Sequence, residues 1–296
     1  MHTLTAVRNT ALTIRPSGRA VDFVAPDLVR GCGPDCTLAY CRNPLHGTAP
    51  VVADNVDEVL QAVHRHAVAQ PWPRLANRAD PDYYVYDFAP ATDPGAGLGP
   101  QDWSRVLRFY GEHPRAKGSF LLRHLDPASP LACDPPAVGE GKVRVRLGLL
   151  PESVRRVLEP GAASVADRLA LVPALRARGY EVDLAFVPLL CYEGWLDDYA
   201  ALFAQVDAAV PTPLRAGMRY EATLLAHSPA RRQRNLAGGR AAAEAYLFDA
   251  DLQELVGAGA PHELIRYRYE LRRGLLRRWR ELHDRLLPWN AARFVG

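Results

Sequence analysis

Only two of the 36 basic residues are lysines, Lys117 and Lys142, so nearly every cation is an arginine. Coding bias of a GC-rich genome is the simplest source, although guanidinium groups do suit bidentate carboxylate and phosphate contacts. Long apolar runs are missing too. No uninterrupted stretch approaches the roughly 20 residues needed to span a bilayer. Residues 1–19 lack the basic-then-apolar layout of a secretory leader. The expected compartment is therefore the cytoplasm, where thiols stay reduced. No internal repeat or low-complexity tract is present. Charge of one sign is scarcely in excess, 36 Lys+Arg against 33 Asp+Glu giving +3. That is too little by itself to imply binding to nucleic acid or a membrane.

What is present is ordinary globular material: 296 residues, 48% hydrophobic and 23% charged. This is enough for one large α/β domain or two small ones. Stretches rich in Val, Leu, Phe and Tyr predict strands at Asp22–Val29, Tyr83–Ala89, Gly118–Leu125, Lys142–Leu150, Glu181–Tyr192 and Arg219–His227. Helical spacing of apolar residues predicts helices between them, at Asn55–Val68 (with Asp54 as N-cap), Gln101–His113, Ser164–Arg178 and Gly194–Ala209. Ser164-x-x-Asp167 opens the third as a capping-box-like start, and Pro173 predicts a kink within it. A long amphipathic helix is expected from about residue 262 to 287, with Leu264, Leu271, Leu275, Trp279, Leu282 and Leu286 on its apolar line and arginines elsewhere.

Strand–helix alternation at this spacing argues for βα units and a parallel sheet, open or closed into a barrel. Functional groups should then lie in loops after the C-terminal ends of the strands. Two Pro/Gly-rich loops, Ala89–Pro100 and Asp126–Gly141, fall there.

Three of the five cysteines crowd into ten residues after the first strand, Cys32, Cys36 and Cys41, with the spacing C-x3-C-x4-C. In a reducing compartment such crowding reads as metal or cluster ligation before disulfides. Three thiolates on a short loop can hold three irons of a four-iron cluster, leaving the fourth for a small molecule. Gly31 and Gly33 let the backbone wrap closely. The alternatives are a zinc knot completed by His46, Cys133 or Cys191, or three unrelated thiols.

The remaining motifs bear on that choice. Lys142-Val-Arg-Val-Arg-Leu-Gly-Leu-Leu-Pro-Glu152, Leu158-Glu-Pro-Gly161, Ser164–Leu169, Arg178-Gly-Tyr-Glu-Val182 and Tyr192-Glu-Gly-Trp-Leu-Asp-Asp-Tyr199 resemble the spore photoproduct lyase family of radical S-adenosylmethionine (SAM) enzymes. So do Asp80-Pro81 with Tyr84-Val-Tyr-Asp87, His113-Pro-Arg-Ala-Lys-Gly118, Ile265-Arg-Tyr-Arg268 and Leu287-Pro-Trp-Asn290, and the resemblance runs from about Val21 to Phe294. It implies a partial (β/α)6 barrel, expected over residues 21–230. A 1–20 arm precedes it, and a C-terminal helical extension, 231–296, packs on it. It also implies a [4Fe-4S] cluster on Cys32, Cys36 and Cys41, SAM on the open iron, a 5′-deoxyadenosyl radical for hydrogen abstraction, and a one-electron reductant such as flavodoxin or ferredoxin.

The resemblance implies residue roles as well. Arg123, at the end of a strand, stands where a basic residue binds the SAM carboxylate; its bland reading is a surface ion pair. Asp93 is placed to accept from a ribose hydroxyl or, before Pro94, simply to start a turn. Gly148 stands where the family often has Ser, and Tyr86 lies on a strand beside the cofactor position. Tyr40 keeps the family's Tyr before the last cysteine. Departures are equally visible. The family's spacing is C-x3-C-x2-C, the aromatic after its last cysteine is Arg42 here, and Pro90 occupies the position of the cysteine that returns hydrogen to product. Cys191 is the substitute donor or a buried structural thiol, and Glu193 is a functional carboxylate or a helix cap. His64 and His66 read as surface or packing residues, while His113, His124 and His227 fall near element ends.

Arg266, Tyr267 and Arg268 align with a segment that in the lyases helps to splay DNA, Arg serving phosphates and Tyr stacking; the bland reading is a solvated basic face. Two expectations from different classes follow. One is a radical SAM enzyme acting on a nucleotide-like or other small substrate, with a DNA photoproduct (thymine-dimer) repair lyase as the closest enzymatic alternative. The other is a non-catalytic or zinc-bearing descendant that binds nucleic acid through its arginine-rich end.

Overall fold

The computed structural model describes residues 5–32, 38–41, 47–74, 80–90, 92–94, 97–123, 140–257 and 263–296. Short strands β1 (Thr5–Val7), β2 (Arg15–Pro16), β3 (Phe23–Val24), β4 (Val29–Arg30) and β5 (Val51–Ala53) precede α1 (Val56–Ala69). Then β6 (Tyr84–Asp87), α2 (Pro100–Glu112), β7 (Ala116–Leu122) and β8 (Val143–Gly148) follow, with α3 (Glu152–Leu158), α4 (Val165–Ala170) and α5 (Val172–Ala177) leading to β9 (Glu181–Leu189). The chain continues through α6 (Trp195–Ala209), β10 (Arg219–Leu224), β11 (Ala226–His227), α7 (Pro229–Ala237), α8 (Ala241–Leu247), β12 (Gln253–Val256), β13 (Leu264–Tyr267), α9 (Tyr269–Leu286) and β14 (Ala291–Val295).

The main sheet has the strand order β14-β10-β9-β8-β7-β6-β3-β2. β14–β10, β10–β9, β8–β7, β7–β6 and β6–β3 pair in parallel, and the β2–β3 edge is antiparallel. The α/β class with a mostly parallel sheet is thus what the alternation predicted. Among the described residues no helix is long and apolar enough to cross a membrane.

Several boundaries differ from expectation. The first predicted strand is two short ones, β3 and β4. Asp54 does not cap α1: Asn55 does so by position, and its side chain is used elsewhere, Oδ1 accepting from Asn9 N at 2.8 Å and Nδ2 donating to Asn9 O at 3.0 Å. The Ser164 start is realised, with Asp167 N donating to Ser164 Oγ at 3.1 Å, but the predicted helix breaks into α4 and α5 just before Pro173. The long terminal helix begins seven residues later than about 262, because Leu264–Tyr267 pairs antiparallel with β12 as β13.

Two compact units divide the chain. The first comprises Met1–Asp35, Leu45–Leu147 and Leu171–Asp183. In it, strand alternation separates two faces. Tyr86, Gly118 and Val143 are register partners on one face, toward α2. There Gly118 is obligatory, since a Cβ would stand 2.7 Å from the Tyr110 ring. Asp87, Ser119 and Arg144 are partners on the opposite face, which is charged and yet buried. Fully buried Arg144 binds Asp80, meets Glu181 at 3.1 Å and lies 3.4 Å from Asp183. Lys117 adds ion pairs to Asp80 and Glu181, and Arg146 pairs with Asp87.

His113 ends α2 in the same unit. Its Nδ1 accepts from the backbone of Arg115 and Ala116 at 3.1 and 2.8 Å, and its Nε2 lies 3.2 Å from His64 Nδ1. Burial first, then the charges of His64, Lys142 and Arg115, lower its pKa from 6.5 to about 4. Above pH 6.5 both folded and unfolded chains leave it neutral. As pH falls toward 4 the unfolded chain takes up a proton that the native one refuses, so stability drops by on the order of 2–3 kcal/mol. Denaturant unfolding at pH 7 and pH 4.5 should show this slope reduced in His113→Asn, which keeps an acceptor; equal slopes would sink the assignment.

The second unit comprises Cys36–Pro44, Gly148–Ala170 and Leu184–Gly296. Its core is aromatic: Trp279 of α9 is fully buried and stacks on His283 at 5.2 Å, with Phe186, Phe203 and Tyr220 within 5.5 Å. Leu275 and Leu282 complete the buried stripe of α9 that the helical spacing predicted.

Candidate functional site

In parallel sheets ligands sit beyond the C-terminal ends of the strands. In the first unit that end is polar. Asp87, the last residue of β6, accepts from Arg146 and, through Oδ1, from Ala89 N at 3.2 Å. Arg123, just past β7, donates its backbone N–H to Asp93 Oδ2 at 2.8 Å. Two residues predicted to contact the cofactor are therefore brought together, with the carboxylate fixing the backbone from which the guanidinium extends. Ser119 Oγ, Thr92 Oγ1 and Asp27 Oδ1 are buried with no hydrogen-bond partner. Burial raises the Asp27 pKa above its ordinary value. Buried polar atoms are nearly always satisfied, which sets these three oxygens apart from the paired groups around them.

Tyr86 departs from its predicted role. It is on the helix side of the sheet, fully buried, with its hydroxyl 2.9 Å from His66 Nδ1 and its ring stacked on Phe23 at 5.4 Å. Alternation along β6 puts it on the face opposite Asp87, so its support is packing. His66 is half-buried against Tyr86, and His64 is exposed beside His113, in keeping with surface and packing positions on α1. Pro90 is exposed just beyond β6.

Cys32 is half-buried and follows Gly31, whose φ is +78°. A Cβ at position 31 would stand 2.8 Å from the Ala49 carbonyl oxygen, so only glycine permits this turn. Cys36 lies outside the described residues, as do Gly33, Arg42, His46, His124, Cys133 and most of the Asp126–Gly141 loop. Among the described residues no group of three His, Cys, Asp or Glu is arranged to hold a metal.

Cys41, half-buried, belongs to the second unit, and the segment Leu38–Cys41 that carries it is bound there by several groups. Ala39 N donates to Leu158 O at 2.9 Å. The buried Tyr40 hydroxyl donates to Glu159 Oε1. Glu159 Oε2 in turn accepts from Arg168 Nη2 at 2.7 Å, and Arg168 Nη1 donates to the carbonyl of Gly148. Glu159 and Arg168 are wholly buried. One chain of bonds thus links two predicted site residues, Tyr40 beside the last cysteine and Gly148 at the end of β8. Arg231 and Asn235 of α7 bind the carbonyls of Leu38 and Ala39 from another side.

Cys191, just past β9, is 3% exposed, and its N–H donates to the Tyr267 hydroxyl at 2.8 Å. Burial pushes its thiol up to about 12, against a hydrogen bond from Tyr267. Glu193, two residues on, is exposed; it caps nothing, because Gly194 at φ +75° is the N-cap of α6 and α6 has no side-chain cap. Tyr267, expected to stack on bases, is buried and committed to Cys191. β-Alternation turns Arg266 outward instead, where it meets Glu254 at 3.2 Å, and the exposed aromatic is Tyr269, 77% accessible. Arg268 donates to the carbonyls of Ala250 and Asp251. Along α9, Tyr269, Arg272, Arg273, Arg277 and Arg280 line a groove of about 1080 Å³.

Sequence reasoning gave no role to Glu159, Arg168, Arg231 or Asn235. The first two at least lie inside family-like segments, whereas nothing local marks the other pair.

These features define an α/β protein with polar groups past the C-terminal ends of parallel strands and a cysteine segment, residues 38–41, held by hydrogen bonds. The spore photoproduct lyase family profile matches residues 2–237, and the chain belongs to that family. Spore photoproduct lyase of Bacillus subtilis (strain 168) is 24% identical over 220 residues, which are 73% of this chain and 59% of that protein. The chain thus spans less than two thirds of that relative. Among solved structures, a spore photoproduct lyase variant with bound AdoMet and dinucleoside spore photoproduct superposes with a TM-score of 0.79 at 16% identity, covering 99% of this chain and 82% of that one. A second variant with dinucleoside spore photoproduct gives a TM-score of 0.82 at 17% identity, with the same coverage. The fold is that of these structures.

Proposed function

We propose that the chain is a radical SAM enzyme of lyase type acting on a nucleotide-like substrate. The observation that carries this is the family match across the cysteine loop and the strand ends together. The donor chemistry fits: Cys32, Cys36 and Cys41 would hold a [4Fe-4S] cluster, soft sulfur on iron. The orphaned oxygens of Ser119, Thr92 and Asp27 would meet the polar groups of SAM. When bound, cluster and SAM supply a 5′-deoxyadenosyl radical for hydrogen abstraction.

The chain's own residues do the rest. Arg123 offers a two-pronged partner to a carboxylate, and Asp93 fixes where it starts. Arg168 holds the Gly148 carbonyl at the end of β8. Tyr40 and Glu159 fix the segment before Cys41. Cys191 keeps its hydrogen at neutral pH because burial holds the thiol protonated, the form a hydrogen donor needs. Glu193 is the carboxylate open to substrate. Exposed Tyr269, with half-buried Arg266 and Arg272, suits a nucleic-acid strand better than buried Tyr267 does.

The test is anaerobic reconstitution followed by iron and sulfide counts, then reductant and SAM with a 5′-deoxyadenosine assay. About four irons per chain are expected, lost in Cys32→Ala, Cys36→Ala or Cys41→Ala, with 5′-deoxyadenosine formed by the parent only. Separate arms offer a dinucleoside photoproduct and thymine-dimer DNA, which distinguish a small substrate from lesion repair. A chain that takes up zinc or no metal and leaves SAM intact would be a non-catalytic descendant instead.

A further inference from the structure

The segment before Cys41 has no regular secondary structure of its own. Within its described residues, 38–41, Cys41 N makes a 3.4 Å turn contact to Leu38 O. Its backbone oxygens are held by one face of α7. Arg231 Nη2 donates to Leu38 O at 2.7 Å, Arg231 Nε to Ala39 O at 3.2 Å, and Asn235 Nδ2 to the same Ala39 oxygen at 2.9 Å. Arg231 and Asn235 are four residues apart, one helical turn, so both point the same way. Each is buried, at 6% and 2% exposure.

The helix is itself fixed. Ser228 caps it by accepting from Arg231 N, and Pro229 starts it. Asn235 Nδ2 also donates to Glu244 Oε1 of α8, which lies 3.2 Å from His227 Nε2. A planar guanidinium that takes two successive carbonyls sets both position and direction of the segment, which a single amide–carbonyl bond cannot do.

We infer that Arg231 and Asn235 are positioning residues for the third cysteine ligand: through the carbonyls of Leu38 and Ala39 they preset the Cys41 thiolate for iron. This rests on the proposed cluster-binding function. Groups that orient metal ligands without touching the metal govern how tightly it is retained. Arg231 also brings a fixed positive charge to the segment, which favours the reduced, more negative form of a cluster.

The test uses the full-length, anaerobically reconstituted protein. Iron release to a chelator is timed in the parent, Arg231→Gln, Arg231→Lys and Asn235→Ala, and the reduction potential of the bound cluster is read by redox titration. Release about tenfold faster is expected in Arg231→Gln and Asn235→Ala, with Arg231→Lys restored in part. Arg231→Gln should also show a lowered potential. Arg234→Gln, exposed on the same helix, should match the parent. Asp80→Asn, which loosens the first unit's charge network, is the comparator for simple loss of stability. Release in Arg231→Gln and Asn235→Ala no faster than in the parent, or no faster than in a comparator of equal thermal stability, overturns the inference. A parent that holds no iron after reconstitution removes the cluster-binding function itself, and the inference with it.

Discussion

Arg144→Met is expected to lower the unfolding free energy by about 3–5 kcal/mol, the usual cost of removing one partner from a buried ionic network. Arg144 is fully buried and meets three carboxylates, those of Asp80, Glu181 and Asp183. Lys117 reaches two of the three, Asp80 and Glu181. Methionine matches much of the lost volume, so the loss reports charge and not a cavity. A sign test accompanies it. Without the guanidinium, at least one carboxylate gains a reason to hold a proton in the native state. A native state that binds more protons than the unfolded chain is strengthened as pH falls. The variant should therefore recover stability relative to the parent between pH 7 and pH 5 in urea titrations. A loss below about 1 kcal/mol, typical of exposed pairs, would show that water reaches the network.

Glu159→Gln should cost as much, again about 3–5 kcal/mol, and for a geometric reason. The carboxylate accepts on both oxygens, from Tyr40 on one and Arg168 on the other. An amide has a single oxygen; with that oxygen kept on Arg168, its NH2 meets Tyr40, whose hydroxyl must turn from donor to acceptor. Arg168 keeps its bond to the Gly148 carbonyl but loses its counter-charge in a site without solvent. The double variant Glu159→Leu with Arg168→Met should be more stable than Glu159→Gln, because the stranded charge has gone. A double variant less stable than the single one would mean that packing around Tyr40 dominates.

The sheet's central strands were legible because each is a short apolar run between turn residues, even β8 with its two internal arginines. The cap of α1 was misjudged because Asn55 spends its side chain on Asn9, 46 residues away. The start of α9 was misplaced because Leu264 fits a helical period with Leu271 and Leu275, while the β12 partner that makes it a strand leaves no mark in that period. Tyr267 illustrates the same limit: in sequence it is one of three basic and aromatic neighbours, and only strand pairing shows that it points inward. The cysteines and the Arg123 and Asp93 positions were found through motif resemblance. Arg231 escaped because its contacts to Leu38 and Ala39 span more than 190 residues, and a side chain bound to a distant carbonyl imposes no local pattern.

The charged inner face of the first unit has a consequence for how the sheet finds its pairing. Lys117 and Arg144 meet Glu181 and Asp183, and Arg146 meets Asp87, only when β6, β7, β8 and β9 align as they do. Slipping β8 by one residue turns both arginines toward the ring of Tyr110 and the other apolar residues of α2 and presents Val143 and Val145 to the carboxylates. Side-chain period two makes that error all-or-none. Apolar strands of similar shape would tolerate such misalignment, since one valine resembles another. The ionic inlay acts instead as a checksum on strand alignment, because wrong pairings strand several charges at once.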